Sequence, residues 1–135
     1  MIKAIIPATL LLACTVSARG ACIQVDIAGK WTAYSILQDN TGKLAWTACT
    51  LAVNAQGKFT TATSFCKGLG RTLPVHGVLT IEAPTKCLFD GSMTNSQGVT
   101  APIQVTLSLD KQTAAGVGGR SGHDNVFTLS MVRIQ

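Results

Sequence analysis

The strongest constraint on the fold is an alternation of apolar and polar side chains with a period of two residues. It is clearest over residues 73–82, where one face of the segment carries Leu73, Val75, Gly77, Leu79 and Ile81. Residues 103–109 repeat it, with the inward positions assigned to Ile103, Val105, Leu107 and Leu109. Because successive side chains of a β-strand point to opposite faces, this pattern predicts strands with one buried face.

Eight segments of this kind follow one another, separated by stretches rich in turn-forming residues. They cover about residues 30–38, 44–53, 58–65, 73–82, 87–94, 103–109, 114–118 and 125–134. The connections are short, and residues 66–71 are interpreted as a plain turn, so consecutive strands are expected to pair antiparallel. The sequence therefore predicts an all-β fold, an eight-stranded antiparallel up-and-down β-barrel, which leaves no free sheet edge. A β-sandwich is the alternative.

The composition supports a single folded domain. The chain has 135 residues, of which 47% are hydrophobic and 13% charged, and this balance excludes a disordered chain. Its formal net charge is +5, but the basic residues are scattered and are not interleaved with exposed aromatics. We therefore expect no nucleic-acid partner.

The N-terminal segment has the features of a secretory signal peptide. Lys3 is followed by an apolar run and by Val16-Ser17-Ala18, which fits a signal-peptidase site. This predicts a signal peptide over residues 1–20 and a single β-barrel domain over residues 21–135. The protein is then exported to the periplasm or the medium.

A second interpretation of the same segment changes the location of the protein. Leu11-Leu12-Ala13-Cys14 resembles a bacterial lipobox, in which the cysteine is lipidated. Cys14 is therefore a lipidation candidate, and the alternative is a protein anchored to the envelope by lipid. Contact with a membrane is expected only in that case.

The predicted domain contains Cys22, Cys49, Cys66 and Cys87. An even number of cysteines in an exported chain predicts two disulfides. Three pairings are possible, and we favour Cys22–Cys87 with Cys49–Cys66. In a regular hairpin Cys49 faces Ala62, so a Cys49–Cys66 bridge requires the third strand to end early. The cysteine spacing does not match a metal-binding pattern, and no metal is expected.

Residues suited to acid–base chemistry are few. His76 lies on the outward side of a predicted strand, and Ser121, His123 and Asp124 are too close in sequence for a triad, which normally assembles from distant segments. No cofactor fingerprint is present. We therefore expect neither an enzyme nor a cofactor. The glycine-rich segment with Arg120, Ser121, His123 and Asp124 is instead the candidate loop for contact with a protein partner.

Gly29-Lys30-Trp31 on the first strand and Arg133 on the last resemble the calycin superfamily of lipocalin-like barrels. These barrels carry a GxW motif on the first strand, and a basic residue of the last strand packs over its tryptophan. The resemblance implies that Trp31 and Arg133 close the barrel. The GxW motif followed by Cys49-Thr50-Leu51 and by Cys66 is also similar to the pattern of secreted bacterial metalloprotease inhibitors, which are small calycin-like barrels.

These features predict a non-catalytic, exported β-barrel binding module of the bacterial periplasm or envelope. Inhibition of a hydrolase is the most specific form of this hypothesis. A structural lipoprotein anchored through Cys14 is the alternative, and a small hydrolase is a third hypothesis. Because many inward positions carry medium-sized apolar residues, we expect a filled barrel or a small pocket.

Overall fold

A computed structural model describes residues 20–38, 41–68, 70–119 and 126–134. This part of the chain forms β1 (Gly29–Gln38), β2 (Leu44–Val53), β3 (Lys58–Phe59), β4 (Phe65–Gly68), β5 (Arg71–Ala83), β6 (Leu88–Asn95), β7 (Thr100–Leu107), β8 (Thr113–Gly119) and β9 (Val126–Ile134). Two short 3-10 helices cover Gln24–Ile27 and Pro84–Lys86. None of the helices in these ranges has the length and apolar character needed to cross a membrane.

The strands form one closed antiparallel sheet. β1 pairs with β2 and β9, and the ladder continues through β8, β7 and β6 to β5. β3 and β4 both pair with β5, one after the other, so they share one position in the wall. The barrel therefore has eight strand positions. The predicted eight-stranded up-and-down barrel is confirmed, and the sandwich alternative is excluded.

The third strand position is not the continuous strand predicted over residues 58–65. The chain leaves the wall after Phe59, turns with the Ser64 amide donating to the Thr60 carbonyl at 2.9 Å, and returns as β4. Ser64 is fully buried. Its Oγ accepts a hydrogen bond from the Ala52 amide, and its carbonyl accepts one from the Val75 amide, both at 3.0 Å. Backbone groups of both neighbouring strands thus stay paired across the interruption.

This interruption brings two cysteines together. Cys49 lies opposite Cys66, four positions beyond the Ala62 that a regular hairpin would place there. The Cα atoms of this disulfide are 3.9 Å apart, and those of the second disulfide, Cys22–Cys87, are 5.0 Å apart. Both favoured pairings are confirmed. From the sequence separations of 17 and 65 residues, chain entropy alone gives stabilisations of about 3 and about 4 kcal/mol.

Two local predictions are wrong, and two short helices have no signal in the sequence. Residues 66–71 are not a plain turn, because β4 extends to Gly68 and β5 begins at Arg71. Leu109 is not an inward strand residue: β7 ends at Leu107, and Leu109 is 66% exposed in the turn that follows. The two 3-10 helices were not expected, since segments of three or four residues are too short to show a helical period.

Large side chains fill one half of the barrel. The largest fully buried ones include Trp31, Phe59, Phe89, Ile27, Leu79 and Met131. They lie toward the β2–β3, β5–β6 and β7–β8 connections, at the end that the first 3-10 helix covers. We call this the closed end. The β1–β2, β4–β5, β6–β7 and β8–β9 connections lie at the opposite, open end.

Candidate functional site: the open end of the barrel

A cavity of about 270 Å³ occupies the open end of the barrel. Inward-facing residues of seven strands line it, together with one residue of the β6–β7 turn. Most of them are apolar, among them Leu37, Leu73, Val75, Met93, Val99, Phe127 and Leu129. An eight-stranded barrel has an interior that side chains fill or that holds one small ligand. Here the closed half is filled and the open half keeps a small pocket, as the sequence predicted.

The shape of the cavity depends on a contact between β8 and β9. Gly118 lies opposite Phe127, and a Cβ at Gly118 would overlap the Phe127 ring. The missing side chain therefore leaves room for an aromatic ring against the β8 backbone. The sequence shows the glycines of this strand, but only the strand register shows that one of them accommodates a ring of the cavity wall.

The polar groups of the cavity are few, and some are already engaged. Asn95 Oδ1 accepts hydrogen bonds from the amides of Gln97 at 2.9 Å and Val99 at 3.1 Å. Ser35 is largely buried. Arg71 is exposed at the start of β5, and among the described lining residues it alone carries a formal charge. The site therefore offers an apolar surface with one positive charge at its rim.

The predicted barrel-closing pair lies at the closed end, away from the cavity. Trp31 is fully buried, and its Nε1 donates a hydrogen bond to the Ile27 carbonyl at 2.9 Å. Trp31 and Arg133 lie opposite each other on β1 and β9. The guanidinium carbon of Arg133 is 4.4 Å from the centroid of the Trp31 ring, a favourable cation–π arrangement.

Arg133 also joins separate segments of the chain. Its Nε donates to the Lys111 carbonyl at 2.9 Å, its Nη2 to the Asp26 carbonyl at 2.7 Å, and its Nη1 to the Ala28 carbonyl. Gly29 has a φ of 141°, and a Cβ at this position would overlap Nη1 of Arg133. The GxW motif therefore combines a buried indole with a backbone position at which the guanidinium excludes a side chain.

An ion pair adds to this end of the barrel. Lys111 Nζ lies 2.8 Å from Asp26 Oδ1, and Asp26 Oδ2 accepts the Ile23 amide at 2.8 Å. The hydrogen bond from Lys111 holds the pKa of Asp26 below its ordinary value of 3.8. Partial burial acts in the opposite direction and is outweighed, because the Ile23 amide and the nearby positive charges also stabilise the carboxylate.

The first 3-10 helix is held against an otherwise open strand edge. Because β3 has only two residues, the edge of β5 beyond Val78 has no strand beside it. The Gln24 side chain donates to the Leu79 carbonyl and accepts from the Ile81 amide, both at 2.8 Å. The Gly57 carbonyl accepts the Leu79 amide at 2.9 Å. Together with Cys22–Cys87, these bonds fix the helix over the closed end.

Several residues selected from the sequence lie outside the described residues, namely Cys14, Arg120, Ser121, His123 and Asp124. The segment 120–125 connects β8 to β9, and its attachment points at Gly119 and Val126 are at the open end. His76 is exposed on β5, as the alternation predicted. The described ranges contain no group of three or more His, Cys, Asp or Glu residues that could hold a metal ion.

No protein-family model and no curated protein matches this chain. Several solved structures of designed proteins are similar to it. A redesigned β-barrel has a TM-score of 0.59 at 15% identity, and the match covers 85% of this chain and 99% of that one. The redesigned barrel mFAP1, bound to DFHBI, has a TM-score of 0.56 at 13% identity, and the match covers 82% of this chain and 100% of mFAP1. EF1p2_mFAP2b, also bound to DFHBI, has a TM-score of 0.59 at 13% identity, and the match covers 81% of this chain and 94% of that protein. At such identities the likeness shows the fold alone, so the chain is a closed eight-stranded antiparallel β-barrel.

Proposed function

We propose that the protein is a non-catalytic binding barrel that takes an apolar group of its partner into the cavity at the open end. The observation that carries the proposal is the cavity itself, which is apolar and open in a barrel that is otherwise filled. Two of the similar designed barrels are described as bound to DFHBI, which supports the capacity of this fold to hold a ligand.

The size of the cavity limits what enters it. Its volume of about 270 Å³ lies just below the range of about 300–1,000 Å³ that is typical of small-molecule sites. A cavity of about 150 Å³ already accommodates benzene. The space therefore suits one aromatic or branched aliphatic group. The strands and the Cys49–Cys66 disulfide, which belongs to the lining, hold the site preformed and so reduce the entropy lost on binding.

We further propose that the protein is exported and that its partner is a hydrolase that it inhibits. Two disulfides are consistent with an oxidising compartment outside the cytoplasm, and the predicted signal peptide over residues 1–20 points to the same location. The arrangement of Gly29, Trp31 and Arg133 supports the resemblance to calycin-like inhibitors. In this form of the proposal, a side chain of the hydrolase occupies the cavity.

A structural lipoprotein anchored through Cys14 remains the second candidate function, favoured by the lipobox-like segment that ends at this residue. Mass spectrometry of the N-terminal peptide of the mature protein distinguishes the exported binding barrel from the lipid-anchored structural protein. A free N-terminus after Ala18 or Gly20 would exclude the lipid anchor, whereas a diacylated N-terminal cysteine would support it.

The cavity proposal is tested with two substitutions on one strand. Ala101 lies in the cavity wall, and Gln104 points outward from the same strand. We expect Ala101→Phe to fill the mouth and weaken binding of an apolar dye such as ANS at least tenfold, while Gln104→Phe leaves it unchanged. Equal dye binding by the two variants would rule out the cavity as the site.

The inhibitor proposal needs the partner itself. The exported protein is used as bait in envelope extract and culture medium, and the Ala101→Phe variant is the matched control. We expect recovery of a hydrolase that the wild type inhibits and the variant does not. Recovery of envelope components alone, equally by both proteins, would contradict inhibition and favour the structural role.

A further inference from the structure

The outer surface of β2, β1, β9 and β8 carries exposed apolar side chains close to the open end. Trp46 is 71% exposed and Ile36 is 58% exposed. The remaining large exposed residues of this area are Tyr34, Leu44, Val117 and Val126. We call these six residues the apolar wall. They point away from the interior, so the cavity does not account for them.

The strand register places these side chains next to one another. Ile36 lies opposite Trp46 on β2 and opposite Thr128 on β9, and Thr128 lies opposite Val117 on β8. Since neighbouring strands are about 4.8 Å apart, this row extends over about 14 Å. The rows on either side add Leu44, Val126 and Tyr34. The apolar wall is therefore one continuous patch.

The surroundings of the patch are almost free of charge. Among the described outward positions of these four strands, Lys30 alone carries a formal charge, and it lies at the end of β1 remote from the open end. The opposite side of the barrel, by contrast, has Glu82 and Asp90 exposed on β5 and β6. A contiguous exposed apolar patch of this kind marks an interaction surface.

The shape of the patch distinguishes between partners. Four of the eight strand positions cover about half of the circumference, so the wall is convex. Two copies of such a surface would touch along a narrow strip, short of the roughly 800 Å² per partner that a standard protein interface buries. The interfacial layer of a lipid bilayer deforms around a convex surface. Trp and Tyr, here Trp46 and Tyr34, are the residues enriched at that depth.

The charges near the open end match an anionic surface. Lys67 is exposed on β4, and Arg71 is exposed at the rim. The acidic residues that the structure describes all lie in the closed half, namely Asp26, Glu82, Asp90 and Asp110. The other two acids, Asp39 and Asp124, fall outside the described residues, and the predicted domain over residues 21–135, with nine basic and six acidic residues, has a net charge of +3. A basic residue beside an anionic bilayer contributes about 1 kcal/mol to binding.

From these observations we propose that the apolar wall docks the open end of the barrel on the surface of an anionic lipid bilayer, without requiring a lipid on Cys14. Trp46 and Ile36 enter the interfacial layer, and the basic residues contact the headgroups. This proposal is independent of the cavity, because the two sets of residues lie on opposite faces of the strands.

Vesicle flotation tests the proposal. The exported protein, with both disulfides intact, is mixed with vesicles of phosphatidylcholine alone or with added phosphatidylglycerol. We expect it to float with the anionic vesicles and less as salt is raised. The combined variant Ile36→Thr and Trp46→Thr should bind at least tenfold more weakly. Leu109→Thr removes a side chain of similar exposure at the closed end and is the matched control, with unchanged binding expected.

Fluorescence and sedimentation complete the test. Brominated lipid should quench the fluorescence of Trp46, which is exposed. The fluorescence of Trp31, which is buried at the closed end, should not change. Equal flotation of the combined variant and Leu109→Thr would overturn the proposal, as would a wild-type protein that binds no vesicles. A dimer that the combined variant dissociates, without vesicle binding, would also overturn it and assign the wall to a second copy of the chain.

Discussion

Replacement of Arg133 by methionine isolates the contribution of its guanidinium group. Methionine keeps an unbranched stem over Trp31 but donates no hydrogen bond, so the carbonyls of Asp26, Ala28 and Lys111 lose their donor. A hydrogen bond to a charged group contributes about 1.5–3 kcal/mol, and a cation over an indole about 0.5–2 kcal/mol. Because interactions of one group do not add, we expect the free energy of unfolding to fall by about 3–5 kcal/mol.

Urea denaturation without reductant measures this loss while both disulfides stay closed. A Trp46→Phe background leaves Trp31 as the fluorescent probe, since the sequence has two tryptophans. Arg71→Met removes an exposed arginine of the open end and should change stability by less than about 0.5 kcal/mol. Arg133→Lys keeps the charge without the planar group and should recover less than half of the loss. A loss below about 1 kcal/mol for Arg133→Met would refute the closing role of Arg133.

Three further outcomes follow from the described contacts. Trp31→Ala should lower the free energy of unfolding by about 3–5 kcal/mol in urea denaturation followed by far-UV circular dichroism, as is usual for a buried aromatic; weaker partner binding at unchanged stability would contradict this. Because Lys111 lowers the pKa of Asp26 in the folded state, the stabilisation is complete above the ordinary value of 3.8 and is lost as the pH falls through the lower folded value. Asp26→Asn should therefore flatten the loss of stability measured below about pH 4, and an unchanged profile would disprove the pairing. Gly118→Ala should displace the Phe127 ring, weaken ANS binding and cost about 1–3 kcal/mol of stability by overpacking; dye titration and denaturation check both.

The barrel itself was predictable because its signals are local. Alternation at residues such as Val75 and Leu79 fixes which face of a strand is buried, and short connections fix which strands pair. The tryptophan and arginine of the closed end could also be selected, since Trp31 and Arg133 fall on the first and last strands, which a closed barrel must pair.

The break in the third strand could not be predicted, because its cause is not local. Residues 60–64 are rich in threonine and continue a strand-like pattern. The interruption is stabilised by partners distant in sequence: Ser64 bonds to Ala52 and Val75, and Cys66 bonds to Cys49. Tertiary contacts here override the local preference.

The cavity was foreseen only as a small pocket, without its position. Its existence depends on which inward positions of different strands carry small side chains at the same height in the barrel. The pairing of Gly118 with Phe127 is one example. Alternation identifies which residues of a strand face inward. It does not show which inward residues of two strands lie at the same position along the barrel axis, because this depends on the strand register.

The closed end holds one of the two disulfides and a network of polar contacts. Cys22–Cys87, the Arg133 hydrogen bonds and the Asp26–Lys111 pair all lie there, and the residues that these contacts join are distant from the four connections at the opposite end. Lengthening a connection costs only about 0.6 kcal/mol for each doubling of its length. We therefore expect insertions in the connections of the open end to have little effect on folding. This barrel is suited to acquire new specificities by variation of its connections, both in evolution and as an engineering scaffold.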